Sequence, residues 1–275
     1  MTGEHGLEAT LEIGLDIVPG LAGRAAEVAQ RFLRADPAAA RAKGERGDVV
    51  TDADLAAERL IVDGLRAHFP GHQIQSEEAG LLDGDPAWRW LVDPLDGTNN
   101  LALGLPLLGV CISLVHDDEA VLSVIRDGSR GRTFTAAAGR GARCDGVPLS
   151  ISAPPAPPLM TVSWMQGYAV DEDDAFADRA PRALARSHKR VLRTWAPAID
   201  WALTATGRVA AVVAHRNETE DLVAGLLLIR EAGGVIRDRG GAPLGPGAAT
   251  NTVIAGHPDG VAAVLATLGR AEPAE

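Results

Sequence analysis

Leu91-Val92-Asp93-Pro94-Leu95-Asp96-Gly97-Thr98-Asn99-Asn100 is the stretch on which the reading of this chain turns. An apolar run ends in a carboxylate, and a second carboxylate follows three residues later. Pro94 is read as the stop of a strand, because it lacks the N–H that a ladder needs. Gly97 permits a tight turn. Asp93 and Asp96 then share one small volume at a strand end. Like charges that close raise each other's pKa unless a cation lies between them. Mg²⁺ suits such a place, since it takes one or two carboxylates together with water and phosphate oxygens. Gly97 and Thr98 offer backbone N–H groups at the start of a turn or helix, a cradle for phosphate. The competing account of the same residues is an Asp-Pro/Asp-Gly turn with solvated side chains.

Upstream, residues 72–75 read as a strand followed by Ser76-Glu77-Glu78, either further ligands or a solvated acidic loop. Thr51-Asp52-Ala53-Asp54 has capping-box spacing and opens a helix whose Ala57, Ile61, Leu65 and Phe69 recur every four residues. A first helix is expected over residues 4–35, closed by Asp36-Pro37, and a polar loop over 36–50. Downstream, 88–93, 107–115, 119–126 and 131–136 are strand-like, with His116-Asp117-Asp118 as a hairpin turn. Ala153 to Pro158 reads as a linker. Beyond it, strands at 159–164, 189–194, 208–213 and 252–255 alternate with helices at 172–186, 196–206, 221–232 and 259–268. Asp221 stands at a helix start, where an N-cap alone would explain an aspartate. The fold class is therefore α/β, with an α+β first half over 1–153 and an α/β second half over 154–275 that carries Asp221.

At 275 residues the chain holds one large or two modest domains. A net charge of −11 argues against nucleic-acid or anionic-lipid partners, which need a basic face. Five Trp, one Tyr and four Phe are too few for a platform that stacks single-stranded nucleic acid. No uncharged apolar run reaches the length of a membrane span, and no leader peptide is read. Two isolated cysteines, Cys111 and Cys144, exclude a disulfide framework and a zinc ribbon and fit a reducing cytoplasm. None of the seven histidines is assigned as a metal ligand.

Four blocks together resemble the inositol monophosphatase family of Mg²⁺-dependent, lithium-sensitive phosphatases. They are Lys43 to Asp54, Ser76-Glu77-Glu78, Trp90 to Asn100, and Asp221 to Gly234 with its Glu-Ala-Gly-Gly ending. The resemblance implies a layered αβαβα sandwich of the inositol monophosphatase and fructose-1,6-bisphosphatase type. It implies two or three Mg²⁺ ions, replaceable by Mn²⁺, a phosphomonoester substrate and a homodimer. By position it gives Glu77, Asp93 and the Leu95 carbonyl to a first metal, and Asp93, Asp96 and Asp221 to a second. Glu77 would also serve a third, weaker site. Gly97 and Thr98 would receive the phosphate, and Asp54 with the Thr98 hydroxyl would orient and deprotonate the attacking water. Lys43 matches the family's lysine beside the metals.

The chain departs from the family where substrate is held. Leu101 replaces an aromatic residue, and Glu220 replaces the Trp before the metal aspartate. Trp195-Ala196-Pro197 replaces a small Gly-Ser/Thr-Ala run, and Ala214 replaces an acidic residue. Trp195, Ala196, Ala214 and Glu220 are thus the expected substrate-side positions, with Glu218 or Glu220 as a substitute carboxylate and His215 and Arg216 nearby. The expectation is a metal-dependent phosphomonoesterase whose substrate is not myo-inositol 1-phosphate. The alternatives are a nucleotide phosphatase of the 3′-phosphoadenosine 5′-phosphate type, a histidinol-phosphate phosphatase, or a non-catalytic binding protein on the same fold.

Overall fold

The computed structural model of the protein describes residues 3–35, 40–43, 49–168, 170–245 and 250–271. Asp36-Pro37 and Gly47-Asp48 lie outside the described residues. The chain begins with α1 (Gly3–Ala35), a two-residue pair β1 (Arg41–Ala42) and β2 (Val49–Val50), and α2 (Asp52–His68). The pair falls inside the segment expected as loop. Next come β3 (His72–Ser76), β4 (Gly80–Leu82), β5 (Asp85–Asp96), α3 (Thr98–Ala102), β6 (Gly109–His116), β7 (Glu119–Asp127), β8 (Arg132–Ala137), β9 (Gly141–Cys144) and β10 (Val147–Leu149). The remaining elements are β11 (Thr161–Gln166), α4 (Ala175–Ser187), β12 (Arg190–Leu192), α5 (Pro197–Ala205), β13 (Ala211–His215), α6 (Thr219–Glu231), β14 (Val235–Asp238), β15 (Thr252–Gly256) and α7 (Pro258–Ala271). None of the described helices is long and apolar enough to cross a membrane.

Two sheets organise the molecule. The larger has the order β10-β9-β8-β7-β6-β5-β3-β4 and is antiparallel except for β3 beside β5. The smaller has the order β12-β11-β13-β15-β14, with β12, β11 and β13 parallel and β15 antiparallel to both its neighbours. The β6–β7 hairpin turns on Asp117 and Asp118, at φ +49° and +63°, the paired left-handed conformation that suits a two-residue hairpin loop.

Side-chain alternation builds five layers. Leu21 and Ile61 from α1 and α2 pack with Trp90, Ile112 and Leu122 on one face of the large sheet. Ile125 and Phe134 on the other face meet Trp201 and Leu227 of α5 and α6, which also meet Val212 and Ala255 of the small sheet. Val213 and Ile254, one residue out of phase, face Leu184 of α4 and Val264 of α7. The result is an αβαβα sandwich in which α5 and α6 are covered by sheet on both sides. That burial explains why α5 is apolar nearly all round. Gly225 lets α6 lie against the Trp201 ring, because a Cβ there would fall 2.0 Å from the indole.

Candidate active site

The site forms where the large sheet meets the starts of α5 and α6. Residues i and i+3 of a regular strand face opposite sides. Asp93 and Asp96 face the same side because the register slips between them: Asp93 pairs with Cys111 and Asp96 with Gly109. One extra residue is accommodated on β5, a bulge at Pro94-Leu95. Pro94 therefore does not stop the strand, contrary to the sequence expectation. Its missing N–H falls at the bulge, where no ladder bond is needed.

Asp221 completes the cluster from α6. Carboxylate oxygens of Asp93, Asp96 and Asp221 all lie within 4.8 Å of one another. Asp221 is not the helix cap; Glu218 holds that position and the helix starts at Thr219. The Trp201 Nε1–H donates to the Asp221 carbonyl at 2.7 Å, which fixes the first turn of α6 against α5. The Asn217 side chain hydrogen-bonds the Asp221 carboxylate. Burial, with repulsion from its neighbours, pushes Asp93 and Asp96 well above the usual carboxylate range. Asp221 is pushed up to about 7 by burial and by the charge of Glu77. Cys111 is also raised by burial, so its thiol adds no charge here.

Glu77 borders this cluster at the end of β3. Its side chain hydrogen-bonds Asp93. Lys43 Nζ reaches Glu77 Oε1 and Glu78 Oε1, each at 2.8 Å. Although burial disfavours its charge, those two carboxylates hold Lys43 above the usual lysine range. The Leu95 amide donates to Asp93 Oδ1 at 3.0 Å. The Leu95 carbonyl accepts the Thr98 hydroxyl at 3.0 Å and keeps a second lone pair.

Asp54 joins two roles that the sequence offered as alternatives. Its Oδ2 accepts the Thr51 amide at 2.8 Å and the Thr51 hydroxyl at 2.5 Å, closing the capping box of α2. Its Oδ1 accepts the Thr98 hydroxyl at 2.6 Å. Burial raises the Asp54 pKa, opposed by its bonds from Thr51 and Thr98. Gly97 sits at φ +92°, and a Cβ would fall 2.6 Å from the Leu107 carbonyl, so glycine is required there.

The substrate-side positions divide. Trp195 is 64% exposed, whereas Ala196 is fully buried, its Cβ 3.3 Å from where a Gly97 Cβ would be. Ala214 is buried in the layer between the sheets. Glu220 accepts a 2.5 Å bond from Gln75 Nε2 across β3. His215 is buried between the Thr252 hydroxyl and Asp174 Oδ2, at 2.8 and 3.0 Å. Arg216 lies 3.6 Å from Asp171 and from Asp174.

Three supporting residues were given no role from the sequence, although Asn100 stood in the motif itself. Glu58 Oε1 accepts the Ser76 hydroxyl and the Glu78 and Ala79 amides, and so shapes the Glu77 loop. Asn100 Nδ2 donates to the Leu107 and Thr194 carbonyls. Asp200 accepts the Ser163 and Thr194 hydroxyls, each at 2.7 Å. Glu58 and Asp200 had a signal: each is a carboxylate among the mostly apolar buried residues of its helix.

A sequence model of the inositol monophosphatase family matches residues 14–271. The Escherichia coli protein named Nus factor SuhB is 33% identical over 254 residues, covering 88% of this chain and 90% of that protein. The inositol-1-monophosphatase of Synechocystis is 32% identical over 197 residues, 70% of this chain and 68% of that protein. Among solved structures, the suhB protein of Bartonella henselae superposes with a TM-score of 0.85 at 26% identity, covering 94% of this chain and 99% of that one. The inositol monophosphatase of Anabaena gives 0.78 at 30% identity, covering 96% and 98%.

Proposed function

The chain belongs to the inositol monophosphatase family, and from that premise we propose that it is a Mg²⁺-dependent phosphomonoesterase: an ester and water go in, an alcohol and inorganic phosphate come out. The observation that carries the reading is the convergence of Asp93, Asp96 and Asp221 beside the Asp54–Thr98 pair. The donor set fits a divalent cation. It is all oxygen, the choice of hard ions, and its buried charges need neutralising. Asp93, Asp96 and Asp221 would hold one ion, and Glu77, Asp93 and the Leu95 carbonyl another. The bound ions supply Lewis acidity and lower the pKa of water.

The protein's own groups do the rest. The Gly97 and Thr98 amides hold phosphate oxygens where α3 begins. The Thr98 hydroxyl, bound to Asp54 Oδ1, accepts a proton from water as its own passes to Asp54. The raised pKa of Asp54 suits a group that must accept a proton. Lys43 pairs with both Glu77 and Glu78 and holds them in place. Residues in two halves, 1–153 and 154–275, meet at this centre. The two free, buried thiols support a cytoplasmic setting. We also propose a homodimer by analogy with the family.

On the substrate side, Ala214 is packed in the core between the sheets and presents no group to a cyclitol hydroxyl, and Glu220 is engaged by Gln75. We infer that myo-inositol 1-phosphate is not the preferred substrate. Phosphate release from myo-inositol 1-phosphate, histidinol phosphate, nucleoside monophosphates and fructose 1,6-bisphosphate, with and without Mg²⁺, tests both statements. The reading fails if no ester yields phosphate; the specificity fails if inositol phosphate ranks first. A second reading, a partner-binding role, draws support from the relatives named Nus factor. Asp93→Asn separates the two, because a purely binding protein would keep its function in that variant.

A further inference from the structure

The carboxyl ends of the parallel strands β12, β11 and β13 open onto the site, the side of an α/β sheet where ligands bind. Two aromatic residues stand there. Tyr168 follows β11 and is 45% exposed; Trp195 follows β12 and is 64% exposed. Both are tied to α3, the helix that begins at the phosphate turn. Asn99 Nδ2 donates to the Tyr168 hydroxyl at 2.6 Å. Asn100 Nδ2 donates to the Thr194 carbonyl at 2.8 Å and to the Trp195 carbonyl at 3.3 Å. Consecutive asparagines thus hold the two aromatic loops against the segment that receives phosphate.

Folding does not account for Trp195. Its backbone sits at φ +53°, a left-handed conformation that is strained for a bulky residue. Its side chain lies mostly in solvent, so burial returns little. Trp90, Trp164 and Trp201 are buried and Trp88 is half-buried, which makes Trp195 the one exposed indole. A strained residue beside a reactive centre points to function.

We propose that Trp195 and Tyr168 form an aromatic wall for the alcohol part of the substrate, and that the preferred ester carries a flat aromatic or heteroaromatic ring. The inference rests on the phosphatase reading of the site and adds the substrate class. Aromatic walls stack on flat π-faces. A fully hydroxylated ring presents hydroxyls that such a wall leaves unpaired.

The test compares 2-phenylethyl phosphate with 2-cyclohexylethyl phosphate, which differ in the flatness of the ring and share the ester. The wild-type protein is expected to favour the phenyl ester in kcat/KM by about tenfold, the usual worth of one stacking contact. Trp195→Ala brings that ratio close to one, Trp195→Phe keeps most of it, and Leu159→Ala, at another exposed apolar position, leaves it unchanged. Binding is read separately: phenylethyl phosphate shields the exposed indole from acrylamide quenching, and Trp195→Phe abolishes that signal. Phosphate release from both esters with a ratio that Trp195→Ala does not move overturns the aromatic wall and leaves the phosphatase reading intact. Release from neither ester, in a protein that releases phosphate from one of the four esters named above, overturns the aromatic wall and leaves the phosphatase reading intact. Failure on those four as well overturns that reading, and the quenching measurement then decides the ring by itself. A Trp195→Ala variant that falls to a smaller assembly assigns Trp195 to a subunit contact and overturns the proposal.

Discussion

The Ala198 amide donates to Asp96 Oδ2 at 2.5 Å, joining two residues 102 positions apart. The start of α5 thereby anchors one oxygen of a cluster carboxylate and leaves the other for the shared volume. Hydrogen bonding favours the ionised form of Asp96, but burial and the neighbouring Asp221 outweigh it. The metal-free cluster is therefore electrostatically strained, which yields the first prediction. Asp93→Asn should raise the melting temperature of the metal-free protein, because one buried charge is gone and the amide oxygen can still accept from Leu95. The same change should abolish turnover and the stabilisation that Mg²⁺ or Mn²⁺ gives the wild type, about 2.7 kcal/mol at a hundred times Kd. Melts with and without metal check both signs. An Asp93→Asn protein that metal stabilises as strongly as wild type ends the assignment.

Asp54 is predicted to separate catalysis from metal binding. Asp54→Asn should lower kcat by about 10²–10⁴-fold, the usual contribution of general-base help. It should also cost about 1 kcal/mol of stability through the weakened cap of α2. The metal-induced rise in melting temperature should survive, because Asp54 lies outside the three-carboxylate cluster. If that rise disappears while turnover persists, Asp54 is a ligand and its role here is wrong.

Much of this was legible in the sequence for a physical reason. Long strands such as β6 and β7 show themselves as β-branched apolar runs bounded by turn residues, and α2 carries its stripe from Ala57 to Leu65. The short strands β4, β9, β10 and β14, at three or four residues each, span too few periods to register. Asp93 and Asp96 were correctly grouped, but through a strand stop, when a bulge does the work; a bulge leaves no mark beyond Pro94 itself. The Asp54 partnership with Thr98 came from family resemblance, since spacing showed only a cap. Asp200 was passed over because its partners, Ser163 and Thr194, lie on other elements.

Glu58 gives a prediction about loop geometry. It is 6% exposed and holds Ser76, Glu78 and Ala79 through a single oxygen. Glu58→Ala leaves those three donors without their acceptor and frees the segment that presents Glu77. Metal affinity should fall about 10–100-fold, as for other residues that orient ligands from behind. Glu58→Gln keeps an acceptor oxygen and should stay close to wild type. The midpoint of the melting-temperature rise against Mn²⁺ concentration measures both. Equal midpoints for the Ala variant and wild type would show that the loop is fixed by something else.

Asp200 should impose a pH dependence of stability near neutrality. It is buried between Ser163 and Thr194, and burial pushes its pKa from 3.8 up to about 7. Below about pH 4 the carboxyl is protonated in both folded and unfolded chains and contributes no slope. Between about 4 and 7 the folded chain keeps the proton that the unfolded chain has lost. Folding then takes up a proton, so stability falls as pH rises through that window. Above about 7 both forms are ionised and the loss is complete, at most about 4 kcal/mol for a shift of this size. Asp200→Asn removes the titration while its amide can still bond both hydroxyls. The difference in unfolding free energy between the wild type and this variant should move in the variant's favour from pH 4 to pH 7.5. Taking the difference cancels the common contribution of Asp221, which titrates in the same range when metal is absent. Denaturant unfolding in chelator at four or five pH values measures it. A difference that stays flat across that range would mean that Asp200 remains ionised in the fold, held as an anion by its two hydroxyl donors.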